Sequence, residues 1–309
     1  MEGLFMNQIY WQVYTGLERE FLSIAEVVFV NDNQQEVYSM KIADLLIRTV
    51  IEIEAIAKEL YLANGGDSTI PDAEMYFDSV CMAHLDGMWK LDSKVILVVS
   101  PYIIFEREEN RILRPLHKAT KRGSCSADWN KAYQAVKHNR IKELKKGNIK
   151  HLLHGLAALY VLNLYYKGTT REKLSESDAK NVNQNFGSEL FAVKIHQING
   201  LSADGHYSKK DNYDECVYIT DYVDDTKVKA VEALTEVNGF LQNKSLQILS
   251  EKASEAAKRG ETITEEWMND NKSKIFVDAI HSVSPQLSQK LKVSLTGLRY
   301  NIVLNKQQY

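Results

Sequence analysis

The sequence predicts a mainly α protein, α+β overall, in which a helical region carries a short β insertion and a smaller α+β region follows. Three observations carry this expectation. Residues 42–60 place apolar side chains at helical spacing. Residues 148–166 are apolar nearly all round, as a central helix would be. Beyond residue 168, polar stretches alternate with short β-branched and aromatic runs. The shift near 168 divides the chain into an expected helical region, 1–167, with a β-hairpin near 94–106, and an α+β region, 168–309.

Taken in order, Ile9, Val13, Leu17, Phe21, Ile24 and Val28 repeat at helical spacing over 9–29. After the polar break "NDNQQ", Ser39 stands where an N-cap belongs. Ile42, Leu45, Leu46, Thr49, Ile53, Ile56, Ala57 and Leu60 then form the clearest stripe in the chain, stopped by "NGG" at 64–66. "KVILVVSPYIIFE" (94–106) has two β-branched and aromatic runs around Ser100-Pro101, the pattern of a hairpin or two short strands. A basic, Ser-rich loop leads into a helix expected from Ala127 to Lys146 and closed by Gly147. Asn148 can cap the next helix, which runs to about Tyr166. Residues 168–185 read as mostly loop, and 188–198 and 215–223 as strands. Residues 226–258 and 264–281 read as amphipathic helices, and "KLKVSLTGLRYNIVLN" as a hairpin turning at Thr296-Gly297.

A chain of 309 residues is ample for a hydrophobic core, and 44 % apolar with 26 % charged residues excludes disorder over the whole length. With 38 basic against 41 acidic residues, no global field marks a nucleic-acid or membrane binder; such a role must rest on a local patch. Cys81, Cys125 and Cys216 are far apart with no CxxC pair, against a zinc knot, a redox dithiol or a disulfide framework. The N-terminal stretch lacks a basic head followed by an apolar run, and "LLHGLAALYVLNLYY" is interrupted by His154 and Asn163. The expectation is a cytoplasmic protein with no membrane partner.

Residues 129–140, "WNKAYQAVKHNR", look most like chemistry. On a continuous helix with His138 at zero, Lys131 lies at about −20°, Gln134 at about −40°, Lys142 at about +40° and Lys145 at about −20°. Trp129, Ala132, Tyr133, Val136 and Leu144 gather opposite, with Arg140 among them at roughly 200°. His138 is then either a proton donor or acceptor near a bound phosphate or a solvated surface histidine. Arg140, turned toward aromatic groups, needs a counter-charge, and Glu52 or Glu54 beside Ile53 is the expected partner in a structural ion pair. The run "KATKRGSCSADWNK" is the basic cluster ahead of this helix, either a guide for RNA phosphates or an exposed loop.

Other candidates carry less. His151 and His154, three apart, lack a third ligand at matching spacing and read as packing and capping residues. "DYVDD" (221–225) reads as a solvated strand end. "NGG" belongs to no phosphate-loop pattern, and Ser100, Ser124 and Ser126 lack a nucleophile-elbow context.

The segments "AYQAVKHNRIKELKKGNIKHLLHGLAALYVL" and "IADLLIRTVIEIEAIAKEL" together resemble the HEPN-like helical proteins. In many bacterial members an aromatic, an amide and "KHxR" occupy the third helix, and "ExE…K" the second. The resemblance covers about residues 9–166. It implies a HEPN-like four-helix up-and-down bundle, usually a homodimer. Catalytic members are metal-independent ribonucleases in which an arginine, a neighbouring polar residue and a histidine four residues further on cluster across the dimer. By position His138 matches the histidine and Gln134 the polar residue, while Tyr133 stands where the arginine should be. Lys131, Lys137 and Lys142 are the cations expected at the phosphate. The implied function is RNA-directed, a metal-independent endoribonuclease in stress or anti-phage defence with no cofactor. The alternative is a non-catalytic interaction and dimerisation module.

Overall fold

Helix α1 (Ile9–Ala25) buries Leu17, Phe21 and Ile24 of the predicted stripe together with Tyr14 and Leu22, while Ile9 of the stripe is exposed. The structure, a computed structural model, describes residues 8–197, 206–294 and 296–309. Helix α2 (Met40–Ala63) begins where Ser39 accepts the Ile42 N–H at 3.1 Å and buries every residue of the 42–60 stripe. A wide turn (Phe77–Met82) leads into the short α3 (Ala83–Trp89). Helices α4 (Asp128–His138) and α5 (Ile149–Lys167) complete a four-helix arrangement. Within it α2 and α5 form the central pair, and α1 and α4 each lie against both. Fourteen residues of α5 are buried, which is why its apolar pattern has no polar side. Among the described residues no helix is long and apolar enough to cross a membrane.

The expected rod over 127–146 is broken. Helix α4 stops at His138; Asn139 leaves the helical region (φ −148°, ψ 69°) and caps a single new turn, Arg140–Glu143, by accepting the Lys142 N–H at 3.4 Å. The periodic pattern ran on through this break because charged residues on both sides of Asn139 satisfy a helical period without packing to enforce it. The projection that set His138 and Arg140 on opposite sides of one helix therefore does not describe the molecule.

Strands are short and come from distant parts of the chain. β1 (Val30–Asn31) pairs in parallel with β3 (Ile103–Ile104). β2 (Ile96–Val98) lies antiparallel between β4 (Ile112–Leu113) and β6 (Phe191–Val193). A four-stranded sheet runs β5 (Arg171–Leu174), β9 (Tyr300–Leu304), β8 (Tyr218–Tyr222), β7 (Ile195–His196). The two runs of 94–106 do form strands, but not a hairpin, because each finds its partners in a different sheet. Residues 168–185, expected as loop, hold β5 and a helical turn, Glu176–Lys180. The expected C-terminal hairpin has one strand, β9, since residues up to Ser294 belong to a helix.

One apolar cluster runs from Tyr14 through α2 and α5 to Phe191, Tyr218, Ile302 and Leu304, so both sides of the 167/168 division share a core. Lys94, fully buried, donates to the Asp214 and Cys216 carbonyls at 3.0 Å each and links the same two stretches. Between β8 and β9 the chain makes a long helical hairpin, α6 (Asp224–Lys258) and α7 (Glu265–Ser294). It leaves and returns at one place, where Val223 donates to the Arg299 carbonyl and Arg299 to the Thr226 hydroxyl. At 1.5 Å per residue α6 is about 50 Å long. The hairpin has a small apolar cluster of its own, Val237, Val283 and Leu287, joined by Leu241.

Candidate functional site

Helix α4 buries Trp129, Ala132, Tyr133 and Val136 against the bundle. Its next face carries Asn130, Lys131 and Gln134, which line a polar cavity of about 510 Å³ with Asp78, Arg122, Ser124, Ser126 and Lys146. A second cavity of about 240 Å³ adjoins it, sharing Asp78, Arg122 and Gln134 and adding Glu54, Lys58 and Tyr76. The two make one cleft. Its walls are α2, α4, the 77–82 turn and the 122–126 loop.

Arg122 spans the junction. Its Nε lies 3.4 Å from Oδ1 of the buried Asp78, and its guanidinium stacks 3.7 Å from the centroid of the Tyr76 ring. Lys131 pairs with Asp128 at 2.5 Å and Lys146 with Glu143 at 2.8 Å, both at the rim. Burial holds the Glu54 carboxyl above the usual carboxylate range, against the pull of Lys137 and Lys58. Contact with Tyr133, and then the Glu54 charge, hold the Lys137 ammonium above its ordinary value. Burial pushes the thiol of Cys81, in the turn beside the cleft, up to about 11, so this cysteine is inert. Asn130 is also part of the lining. It is 4 % exposed, and its side-chain oxygen is buried with no hydrogen-bond partner among the described residues.

Of the residues singled out in the sequence, Gln134 and Lys131 line the cleft. Glu54 lines its second part. Lys137 lies over the Tyr133 ring, its ammonium 5.1 Å from the ring centroid. His138 is exposed at the C-terminal end of α4, one turn beyond Gln134 in the column of Lys131 and Gln134. Lys142 is exposed beyond the helix break. The expected buried pair is absent. Arg140 is half-exposed, and among the described residues neither Glu52 nor Glu54 pairs with it. The break at Asn139 frees the Arg140 position from the face of α4 that meets α2. Glu52 remains half-buried, its carboxyl raised by burial alone.

Sequence reasoning missed Asn130, Asp78, Tyr76 and Lys146 as cleft residues. Arg122 and Ser124 lay inside the basic run already singled out ahead of the helix, but nothing in that run says which cation turns inward. His151 donates from Nδ1 to the Lys146 carbonyl at 2.8 Å, and His154 packs on the same helix one turn on, in line with the capping and packing roles expected of them. Among the described residues no group of three or more His, Cys, Asp or Glu side chains is placed to hold a metal ion. Comparison of the chain with protein families, with curated proteins and with solved structures finds no match.

Proposed function

We propose that this chain is an RNA-directed HEPN-like protein, a homodimer of four-helix bundles, that acts as a metal-independent endoribonuclease in stress or anti-phage defence. The observation that supports this most is the position of Arg122. The third helix has Tyr133 where the resemblance calls for a guanidinium, and the loop before that helix brings one to the cleft that Gln134 lines. A guanidinium binds phosphate oxygens through a planar fork, which a phenol cannot do. Lys131 and Lys146 at the rim add charge for the flanking phosphates.

In this reading a phosphodiester enters beside Gln134, and His138 accepts the proton of the ribose 2′-hydroxyl. The 2′-oxygen attacks phosphorus and the bond to the 5′-oxygen breaks. That oxygen leaves with a proton from water, giving a 2′,3′-cyclic phosphate and a 5′-hydroxyl. Arg122 carries the charge that develops on the phosphate, released from Asp78 as the substrate takes its place.

The test is incubation of the purified protein with mixed single-stranded RNA in EDTA, scoring cyclic-phosphate ends. His138→Ala and Arg122→Ala should each lower cleavage by about 100-fold or more. Identical fragment patterns from all three proteins would end the enzyme reading.

A second reading has its own support. Each rim cation already faces a carboxylate, and His138 stands outside the lining of the cleft. A non-catalytic HEPN-like module that binds RNA or assembles through these helices fits that arrangement. It would bind RNA in the same assay without generating new ends.

A further inference from the structure

A helix packed against one neighbour needs one apolar seam, and α6 carries two uncharged ones. Val237 and Leu241 belong to the first, which meets Val283 and Leu287 of α7. The second runs through Val228, Val231, Thr235, Leu246, Leu249 and Ala253, with Gly239 and Gln242 filling the steps of three or four residues between them. At 100° per residue these positions lie within about 80° of one another and apart from Val237 and Leu241. None is charged, although eleven of the 35 residues of α6 are. Val228 is 58 % and Leu246 62 % exposed, so this second stripe faces water.

Near the middle of the stripe a groove of about 720 Å³ opens between the two helices. Gln242, Ser245, Leu246 and Leu249 line it from α6, and Met268 and Phe276 from α7. Met268 and Phe276 are also exposed. Leu246 thus projects from the lip of a hole that it helps to form. A knob beside a hole is what one helical face needs in order to pack against a copy of itself.

We propose that this face is an interface between two copies of the chain, with α6 crossing α6 antiparallel about a two-fold axis near Gln242 and each Leu246 entering the other copy's groove. In such an isologous contact, residues near the axis meet their own kind. A charge there would face itself and repel, so a stripe without charge is what the symmetry requires. Away from the axis, the antiparallel sense carries Lys272, the charged residue of the groove lining, toward the acidic end of the other α6, which holds Asp224, Asp225 and Glu232. The stripe is about 39 Å long and a helix about 11 Å across. With the α7 wall of the groove added, each copy offers about 600 Å², and a pair buries about 1,200 Å², the lower end of the range for a specific, stable interface. This contact is separate from the bundle-to-bundle homodimer of the RNA-directed reading and does not rest on it.

Sedimentation velocity of the full chain from about 1 to 100 μM should show the particle mass doubling, either from one copy to two or from two to four where the bundles already pair. Leu246→Glu and Phe276→Glu replace exposed side chains, so the fold should hold in thermal melts, and each should abolish the doubling. Gln247→Glu, on α6 but off the stripe, should leave it intact. A second measurement disrupts nothing. Cys125, the exposed cysteine, is replaced by serine, and a single cysteine is placed along the stripe. Gln242→Cys, at the axis, should join two chains through a short bismaleimide; Thr235→Cys, about 20 Å from its own copy, should not. A mass that stays constant with concentration, a doubling that survives both Glu substitutions or is lost with Gln247→Glu, or cross-linking at 235 and not at 242 would each overturn the interface and leave the RNA-directed reading untouched.

Discussion

At His154 a single side chain sets a pH dependence. Burial, then the charges of Lys150 and His151, push its imidazole down to about 4, and burial lowers His151 as well. In the unfolded chain a histidine titrates near 6.5, so below that pH the unfolded state takes up protons that the folded state refuses. The stability contributed by neutral His154 is complete above about pH 6.5 and is lost as pH falls toward 4. Urea midpoints should therefore drop between pH 7 and pH 5, and His154→Phe should flatten that drop. A second residue-scale prediction concerns Glu18, 2 % exposed, whose Oε1 accepts from the Tyr14 and Ser188 hydroxyls and from the Glu189 and Leu190 N–H groups. Glu18→Ala removes their shared acceptor, although the Leu190 N–H and the Tyr14 hydroxyl keep a second partner in Ser188 Oγ, and should cost about 2 kcal/mol in urea unfolding, with Glu18→Gln costing less. Nothing in the sequence pointed to Glu18 or to the loop some 170 residues away that completes its network.

Among the elements, the junction between α4 and α5 shows how a residue can be read correctly for an incomplete reason. Asn148 caps α5 as its sequence position suggested, accepting the His151 N–H at 3.0 Å, but it also donates to Glu36 at 2.8 Å. Gly147 reads as a helix stop. In the fold its main constraint is space, since a Cβ there would stand 2.5 Å from Ala43 Cβ and 2.8 Å from Ala43 Cα on α2. Gly147→Ala should consequently force α2 and the 144–147 turn apart and lower stability by about 2 kcal/mol, read as a shift in melting temperature. Asn148→Ala should cost more than Ser39→Ala, for which only the cap, about 1 kcal/mol, is lost. If the two caps proved equal, the Glu36 bond would have no energetic weight. The candidate cleft lies on these same elements. Its α4 wall was legible because "KAYQ" carries polar residues at helical spacing; its opposite wall was not, because Asp78, Tyr76 and Arg122 come from irregular segments with no period to read.

The whole molecule separates into a shared core and an appended hairpin. Among the described residues the α6–α7 pair shares a small apolar cluster, and it joins the sheet at two neighbouring antiparallel strands. Replacing residues 228–296 with a short Gly-Asn turn should leave a protein with less helix by circular dichroism but an undiminished cooperative melt. Loss of the melt would mean that the hairpin contributes to the main core. At this scale the sequence determined where apolar stripes lie, which residues cap and end helices, and that a polar, basic-edged helix precedes the central one. Those features depend on the spacing of neighbours within a few turns. Only the tertiary structure decided the break at Asn139, the pairing of β2 with β4 and β6, and the meeting of Arg122, Asn130 and Gln134 in one cleft. Each of these depends on contacts between residues distant in the chain, for which local spacing carries no information.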